Sequence, residues 1–253
     1  MAGAALLGGV IWRTAKVIGL QDETATARSL TLDLRDWPGH IAGQHVDVRL
    51  TSTDGYSAIR SYSIASAPSI NGRIEVTIER LPDGEVSPYL TQNIAVGDEL
   101  EVRGPVGGWF IWRPEQEEPI QLVAGGSGIV PLMAMIRSRF SAANTAPFRL
   151  LYSVRAPEAI LYRDELQALS NRKDSVIITY AYTREAPKDW SRPPGRIDAE
   201  LFATDTWPSS LRPTNYVCGP TAFVERATDL LISVGQDRRM IKTERFGATG
   251  VQK

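Results

Sequence analysis

At Trp112 the chain changes its hydrophobic period, and that change limits the possible folds more than any other feature. Before it, Leu30, Leu32 and Leu34 alternate with Thr31 and Asp33. Val46, Val48 and Leu50 alternate with Asp47 and Arg49, and Ile74, Val76 and Ile78 with Glu75, Thr77 and Glu79. A period of two buries one face of a strand. Pro38-Gly39, Asp54-Gly55, Asn71-Gly72 and Asp83-Gly84 separate the runs as turns. Short strands at this spacing predict a small antiparallel barrel or sandwich, interrupted by a short helix over 86–92.

After Trp112 a polar segment bracketed by prolines, 113–119, reads as a linker. Apolar runs at 120–124, 148–154, 175–183 and 216–218 then alternate with helical patterns at 129–140, 162–171, 197–202 and 221–234. That order predicts a doubly wound parallel sheet covered on both faces. The expected domains are 1–114 and 115–253, with 241–253 as a short tail that ends in loop-like residues.

Composition narrows the function classes. With 43% apolar and 23% charged residues the chain is globular. Its single cysteine, Cys218, excludes an internal disulfide, a cysteine-ligated zinc site and an iron–sulfur cluster within these residues. With only His40 and His45 as histidines, no metal site is expected, two histidines with a carboxylate being the formal alternative. Residues 1–115 hold ten basic and fourteen acidic side chains, and 116–253 hold eighteen and fifteen. Neither half is basic enough for nucleic acid, but the second suits a phosphorylated small molecule. No apolar run reaches the ~18 residues of a membrane span, and the first ten residues carry no basic leader. A cytoplasmic protein is the expectation.

The strand at 120–124 runs into Gly125-Gly126-Ser127-Gly128-Ile129-Val130-Pro131 and then a helix. Glycines there permit a tight turn and close approach of a phosphate, and the helix start favours an anion. The motif is G-x-G-x-x-P, neither the full dinucleotide fingerprint nor a P-loop. The acidic residue that would hold an adenosine ribose ~20 positions on is missing. The next two strands end instead in Arg155 and Arg184, which could fork onto a 2′-phosphate. Solvated surface arginines are the plainer alternative.

Arg60-Ser61-Tyr62-Ser63 places an arginine, a tyrosine and a serine on one strand, taken to share a face by alternation. A fixed cation, an aromatic plane and a hydroxyl suit a diphosphate, a flat ring and a ring nitrogen. Together with Gly84-Glu85-Val86-Ser87, Gly125–Pro131 and Cys218-Gly219-Pro220, in this order and over nearly the whole chain, the pattern resembles the ferredoxin–NADP reductase family of FAD-dependent oxidoreductases, in its bacterial form without a fused iron–sulfur domain.

The resemblance implies a six-stranded antiparallel FAD barrel followed by a nicotinamide-nucleotide domain. It implies FAD contacts from Arg60 (diphosphate), Ser61, Tyr62 (against the ring), Ser63 (near N5), Gly84, Val86, Ser87 (diphosphate), Ser127 and Phe246. It implies nucleotide contacts from Gly125, Gly126, Gly128, Arg155, Arg184, Arg196, Cys218, Gly219 and Pro220, with Ser63, Cys218 and Glu244 in catalytic places. Arg155, Arg184 and the Gly195-Arg196-Ile197 segment favour NADP(H) over NAD(H). Unlike plant-type members, the chain does not end on a tyrosine: Phe246 is the candidate ring cover and Glu244 a candidate proton donor, beside the plainer readings of a hydrophobic plug and an exposed salt-bridging carboxylate. The implied reaction is hydride transfer from NAD(P)H to flavin, then single electrons to a ferredoxin, a flavodoxin, or a haem or molybdenum enzyme. Two alternatives stand: an NADH-dependent reductase subunit of an oxygenase, molybdenum or haem enzyme, and a catalytically silent binding module.

Overall fold

A computed structural model of the chain describes residues 11–52, 54–69, 71–172 and 176–247. The apolar start (1–10), the last six residues and the first position of the expected 175–183 strand lie outside them.

Among the described residues, six strands and one helix make the first domain. They are β1 (Trp12–Thr24), β2 (Ala27–Leu34), β3 (His45–Thr51), β4 (Ser57–Ser63), β5 (Arg73–Glu79), α1 (Ser87–Gln92) and β6 (Glu99–Val106). The alternating residues behave as their period requires: Leu30, Leu32, Val46, Val48, Ile74, Val76 and Ile78 share one core with Ala15, Val17 and Val102. The sheet runs β4-β3-β6-β1-β2-β5 with every pair antiparallel. An Ile64–Val76 bridge and the Ala65 N–H to Glu75 carbonyl bond (2.7 Å) close it into a barrel. The turn at Asn71-Gly72 needs its glycine: φ is +74°, and a Cβ would stand 2.6 Å from the Leu34 carbonyl oxygen. Pro88 in the first turn of α1 suits a helix start, and Val86, Leu90 and Ile94 plug the barrel core.

The second domain comprises β7 (Ile120–Gly125), α2 (Ile129–Ser141), β8 (Phe148–Val154), α3 (Arg163–Ser170), β9 (Ile177–Tyr182), α4 (Ala199–Asp205), β10 (Thr214–Pro220), α5 (Thr221–Ser233) and β11 (Ile241–Phe246). The sheet is parallel throughout, in the order β11-β10-β7-β8-β9. Successive strand residues feed opposite cores. Leu122, Leu150 and Tyr216 pack with α2 and α3, and Val123, Leu151 and Val217 with α4 and α5. The α2 side also takes in Ala27, Ala42, Ala65, Phe110 and Trp112, so this is the face that presses on the barrel.

The start of the tail, 241–246, is a strand, β11, and its loop-like end, 248–253, lies outside the described residues. Its Lys-Thr-Glu-Arg run has no hydrophobic period; parallel pairing with β10 sets its conformation.

Candidate active site at the domain seam

Strand order reverses between β7 and β10, and in open parallel sheets ligands bind outside the strand C-termini at such a point. A cleft of about 190 Å³ lies there. Gly125, Gly126, Ser127, Arg155, Pro220 and Phe246 line it from the second domain, and Thr24, Thr26 and Glu79 from the barrel.

Two of the turn's glycines serve packing. A Cβ on Gly128 would stand 2.1 Å from the Cys218 carbonyl oxygen, and one on Gly125 2.6 Å from the Phe223 ring. Only Gly126, with φ +54°, has open space above it. Thus the glycines let the turn after β7 seat against β10 and the Phe223 ring of α5, and leave one bare stretch of backbone facing the cleft. No side chain caps this turn, and the Ile129 N–H already donates to the Gly126 carbonyl, so capacity for an anion rests with the glycine turn itself rather than with the start of α2.

The arginines converge through the backbone. The Arg184 N–H donates to the Arg155 carbonyl (2.9 Å), and the Gly195 N–H to the Tyr182 carbonyl (2.9 Å), bringing the Gly195-Arg196 segment alongside. All three arginines are exposed, and Arg155 reaches the cleft wall.

On the barrel side, Arg60 and Tyr62 point with Ala58 toward the core face of β4. Arg60 emerges half-exposed and donates to Glu85 (3.2 Å). Tyr62 packs against the barrel core, and burial pushes its phenol up to about 12, so the ring is neutral. Gly84 is tied to this turn: a Cβ would stand 2.8 Å from Ser87 Oγ, which accepts the Leu81 N–H at 3.0 Å. Val86 and Ser87 are buried at the head of α1.

Ser61 and Ser63 fall on the opposite face of β4, which corrects the expectation of one shared face: Ser63 is the neighbour of Tyr62, not two residues from it. Ser61 donates to Asp47 (2.6 Å), whose other carboxylate oxygen takes Arg103 (2.6 Å), so Ser61 braces the barrel wall. Ser63 lies in register with His45.

His45 leads across the seam. Its Nδ1 is 3.8 Å from Glu244 Oε1, and Glu244 is the register partner of Cys218 on the neighbouring strand. Serine, imidazole, carboxyl and thiol thus form one line from barrel to parallel sheet. The Glu244 side chain is 24% exposed, and its Oε2 is buried without a hydrogen-bond partner. Burial raises its pKa to about 7. Burial also lowers that of His45, so the imidazole is neutral at pH 7 and forms no ion pair with Glu244. The exposed salt-bridging alternative for Glu244 is therefore set aside. Burial pushes the Cys218 thiol far up as well, keeping it protonated. Phe246 is 38% exposed at the cleft mouth, more a wall than a plug.

His45, Glu85 and Glu79 were not singled out from the sequence. A histidine paired through β-register with the Arg60-Ser61-Tyr62-Ser63 strand was the available signal for the first. The acidic residue inside Gly84–Ser87 was the signal for the second. Nothing short of tertiary structure brings Glu79 to the cleft.

Comparison with known proteins gives concordant results. The oxidoreductase FAD-binding domain model matches residues 20–111, and the oxidoreductase NAD-binding domain model residues 122–229. The chain is 30% identical over 242 residues to ferredoxin–NADP reductase B of Sorangium cellulosum, covering 92% of this chain and 96% of that one. It is 33% identical over 209 residues to the glycine betaine monooxygenase reductase subunit of Chromohalobacter salexigens, covering 82% of this chain but 56% of the relative, so it spans little more than half that protein's length. The flavohem-like FAD/NAD-binding domain of nitric oxide dioxygenase from Vibrio cholerae superposes with a TM-score of 0.81 at 25% identity, covering 93% and 98% of the two chains. Among the described residues no helix is long and apolar enough to cross a membrane, and no cluster of metal-ligating side chains occurs.

Proposed function

The chain belongs to the ferredoxin–NADP reductase family of NAD(P)H-dependent flavoprotein reductases, and from that premise we propose that it oxidises NADPH in the seam cleft and delivers electrons singly to a separate acceptor protein. The donor set fits a flavin dinucleotide. Arg60 offers a half-exposed guanidinium to a diphosphate, Tyr62 a neutral aromatic plane, and the seam holds a buried acid with one unpartnered oxygen. FAD bound there supplies the chemistry, taking up a two-electron hydride equivalent and giving electrons back one at a time.

The protein's own work is placement. Arg60, with the turn of Gly84, Val86 and Ser87, anchors the diphosphate end. Tyr62 and Ser63 present opposite faces of one strand, so one supports a ring and the other reaches the seam. Gly126 and Ser127 present open backbone to the nucleotide, and Cys218 fills the space beside them as a neutral thiol. Glu244, poised near neutral pH, holds or releases a proton at Oε2. The 38%-exposed Phe246 covers the cleft mouth and excludes water. Holding two flat rings in contact converts an encounter into an oriented transfer. Arg155, Arg184 and Arg196 at adjacent strand ends support NADPH over NADH.

The observation that carries this reading is the convergence of the Ser63 strand, Glu244 and the glycine turn on one seam. The likeness to a monooxygenase reductase subunit supports a second reading, in which the acceptor is an oxygenase component. Purified protein is expected to be yellow, to release FAD on heating, and to bleach faster with NADPH than with NADH. A panel of ferredoxin, flavodoxin and oxygenase components then separates the acceptors. Colourless protein that takes up no added FAD would leave only the silent-module reading.

A further inference from the structure

Beside the cleft lies a polar assembly that the proposed chemistry does not use. Tyr162, immediately before α3, is 4% exposed and sits at φ +54°, ψ 33°. A bulky side chain in this left-handed region is a genuine outlier and persists only where its surroundings hold it. Here they do. The Tyr162 hydroxyl donates to Thr77 Oγ1 (2.5 Å), and Thr77 and Ser29 share a bond of 2.7 Å. Ser29 donates to Glu23 Oε1 (2.6 Å), while the Tyr162 backbone N–H donates to Glu23 Oε2 (3.1 Å). Each hydroxyl has one proton, so the direction is fixed: Tyr162 to Thr77, Thr77 to Ser29, Ser29 to Glu23. The circuit starts and ends on Tyr162. The Arg137 guanidinium lies 4.9 Å over the tyrosine ring.

The circuit crosses the seam. Glu23, Ser29 and Thr77 belong to β1, β2 and β5 of the barrel, and Tyr162 to the second domain. The chain neighbours of these residues are the cleft walls. Thr24 follows Glu23, Glu79 lies two residues beyond Thr77, and Leu161 precedes Tyr162; all three line the cleft. The barrel wall and the sheet wall are thus fastened to each other one or two residues from the positions that line the cleft.

We infer that Tyr162 is a positioning residue for the nucleotide: through Thr77 and Glu23 it sets the spacing between the barrel wall and the Arg155–Leu161 wall of the cleft. A ligand gripped by both walls gains affinity when their separation is fixed before it arrives. The inference rests on reading this cleft as the nucleotide site.

The test uses the full chain loaded with FAD, with ferricyanide as one-electron acceptor. Tyr162→Phe and Thr77→Val each remove one link. Each is expected to raise the KM of the preferred nucleotide about tenfold and to leave kcat and the NADPH-to-NADH preference within twofold. The double variant is expected to be no worse than either single one, because both cut the same circuit. Thr77→Ser, which keeps the hydroxyl, is expected to behave as wild type. KM values within twofold of wild type alongside a lowered Tm would overturn the proposal, showing a fastening of purely structural weight; so would single effects that multiply in the double variant. If Tyr162→Phe does not fold, Thr77→Val makes the same test from the barrel. Ser127→Trp, which fills the cleft, separates the premise from the inference: unchanged KM there shows that the nucleotide binds elsewhere, and a raised KM with inert Tyr162→Phe and Thr77→Val removes the positioning role alone.

Discussion

At the Tyr162 crossing of the domain seam each buried hydroxyl and carboxylate has a partner, whereas at the His45–Glu244 crossing one carboxylate oxygen has none. The same interface contains both. At the first, Arg137 of α2 adds ion pairs to Glu75 of the barrel (2.6 Å) and Glu165 of α3 (2.5 Å), and a bond to the Ala65 carbonyl (3.0 Å). At the second, imidazole and carboxyl stop at 3.8 Å, and burial keeps the imidazole neutral at pH 7, so no ion pair forms. Satisfied groups hold the domains; the unsatisfied one remains available to a ligand. A satisfied buried network stabilises only while whole, and losing one member leaves the others stranded.

The largest effect is therefore expected at Arg137. Arg137→Met strands Glu75 and Glu165 together at the seam and should cost about 3 kcal/mol of unfolding free energy in urea titrations. Adding Glu75→Gln and Glu165→Gln should restore most of it, because neutral amides tolerate the site. A loss below ~1 kcal/mol for the single variant would mean that the ion pairs do not hold the domains.

Glu244 predicts the opposite behaviour with pH. Its folded pKa of about 7 stands above the ordinary 4.5, so the native state holds a proton that the unfolded state releases. Stability from this group is fully present below about pH 4.5 and is lost as pH rises through about 7, on the order of 3 kcal/mol in all. Glu244→Gln should abolish that slope and be the more stable protein at pH 8. A wild type whose stability is flat across this window would show that Glu244 is hydrated, contrary to its burial.

The two crossings also differ in how much of them the sequence displays. β2, β3 and β5 were legible because each carries its hydrophobic residues on one face with a strict period of two, and β8 because its run is mostly apolar, broken only by Arg149 and Ser153. β1 was not: its register shifts between Val17 and Gly19 and again between Asp22 and Thr24, which breaks the alternation. β11 was hidden by its polar run, since pairing rather than hydrophobic pattern makes it a strand. The Arg60–Ser63 motif marked the right strand but not the side on which each residue falls. His45 drew notice only as a scarce metal ligand, and its closeness to Glu244 exists only once the domains meet. The Tyr162 circuit draws on positions 23, 29, 77 and 162, and no local spacing links them.

A smaller effect than at Arg137 or Glu244 is expected at the outer end of the cleft. Arg155→Ala should raise the NADPH KM by tenfold to a hundredfold and leave that of NADH nearly unchanged, as loss of a charge-assisted contact worth roughly 1.5–3 kcal/mol would. Equal shifts for both nucleotides would remove the 2′-phosphate contact. The result sharpens the comparison because Arg155 and Tyr162→Phe act on one KM for different reasons. The arginine discriminates between nucleotides; the tyrosine does not.

The smallest effect is expected at Ser61, which supplies a control on geometry. Its hydroxyl donates to a buried carboxylate, Asp47, as Ser29 does to Glu23, and with the same 2.6 Å bond. Burial opposes the charge on Asp47, but the Ser61 and Arg103 hydrogen bonds outweigh it and hold the carboxyl below its usual range. Ser61, Asp47 and Arg103 all lie within the barrel, so Ser61→Ala weakens one wall without loosening it from the other domain. Arg103 still neutralises Asp47, which limits the expected loss to about 1 kcal/mol in urea. The nucleotide KM should stay within twofold of wild type. If instead it rises as far as in Tyr162→Phe, then any weakened barrel hydroxyl loosens the cleft, and crossing the seam is not what gives Tyr162 its role.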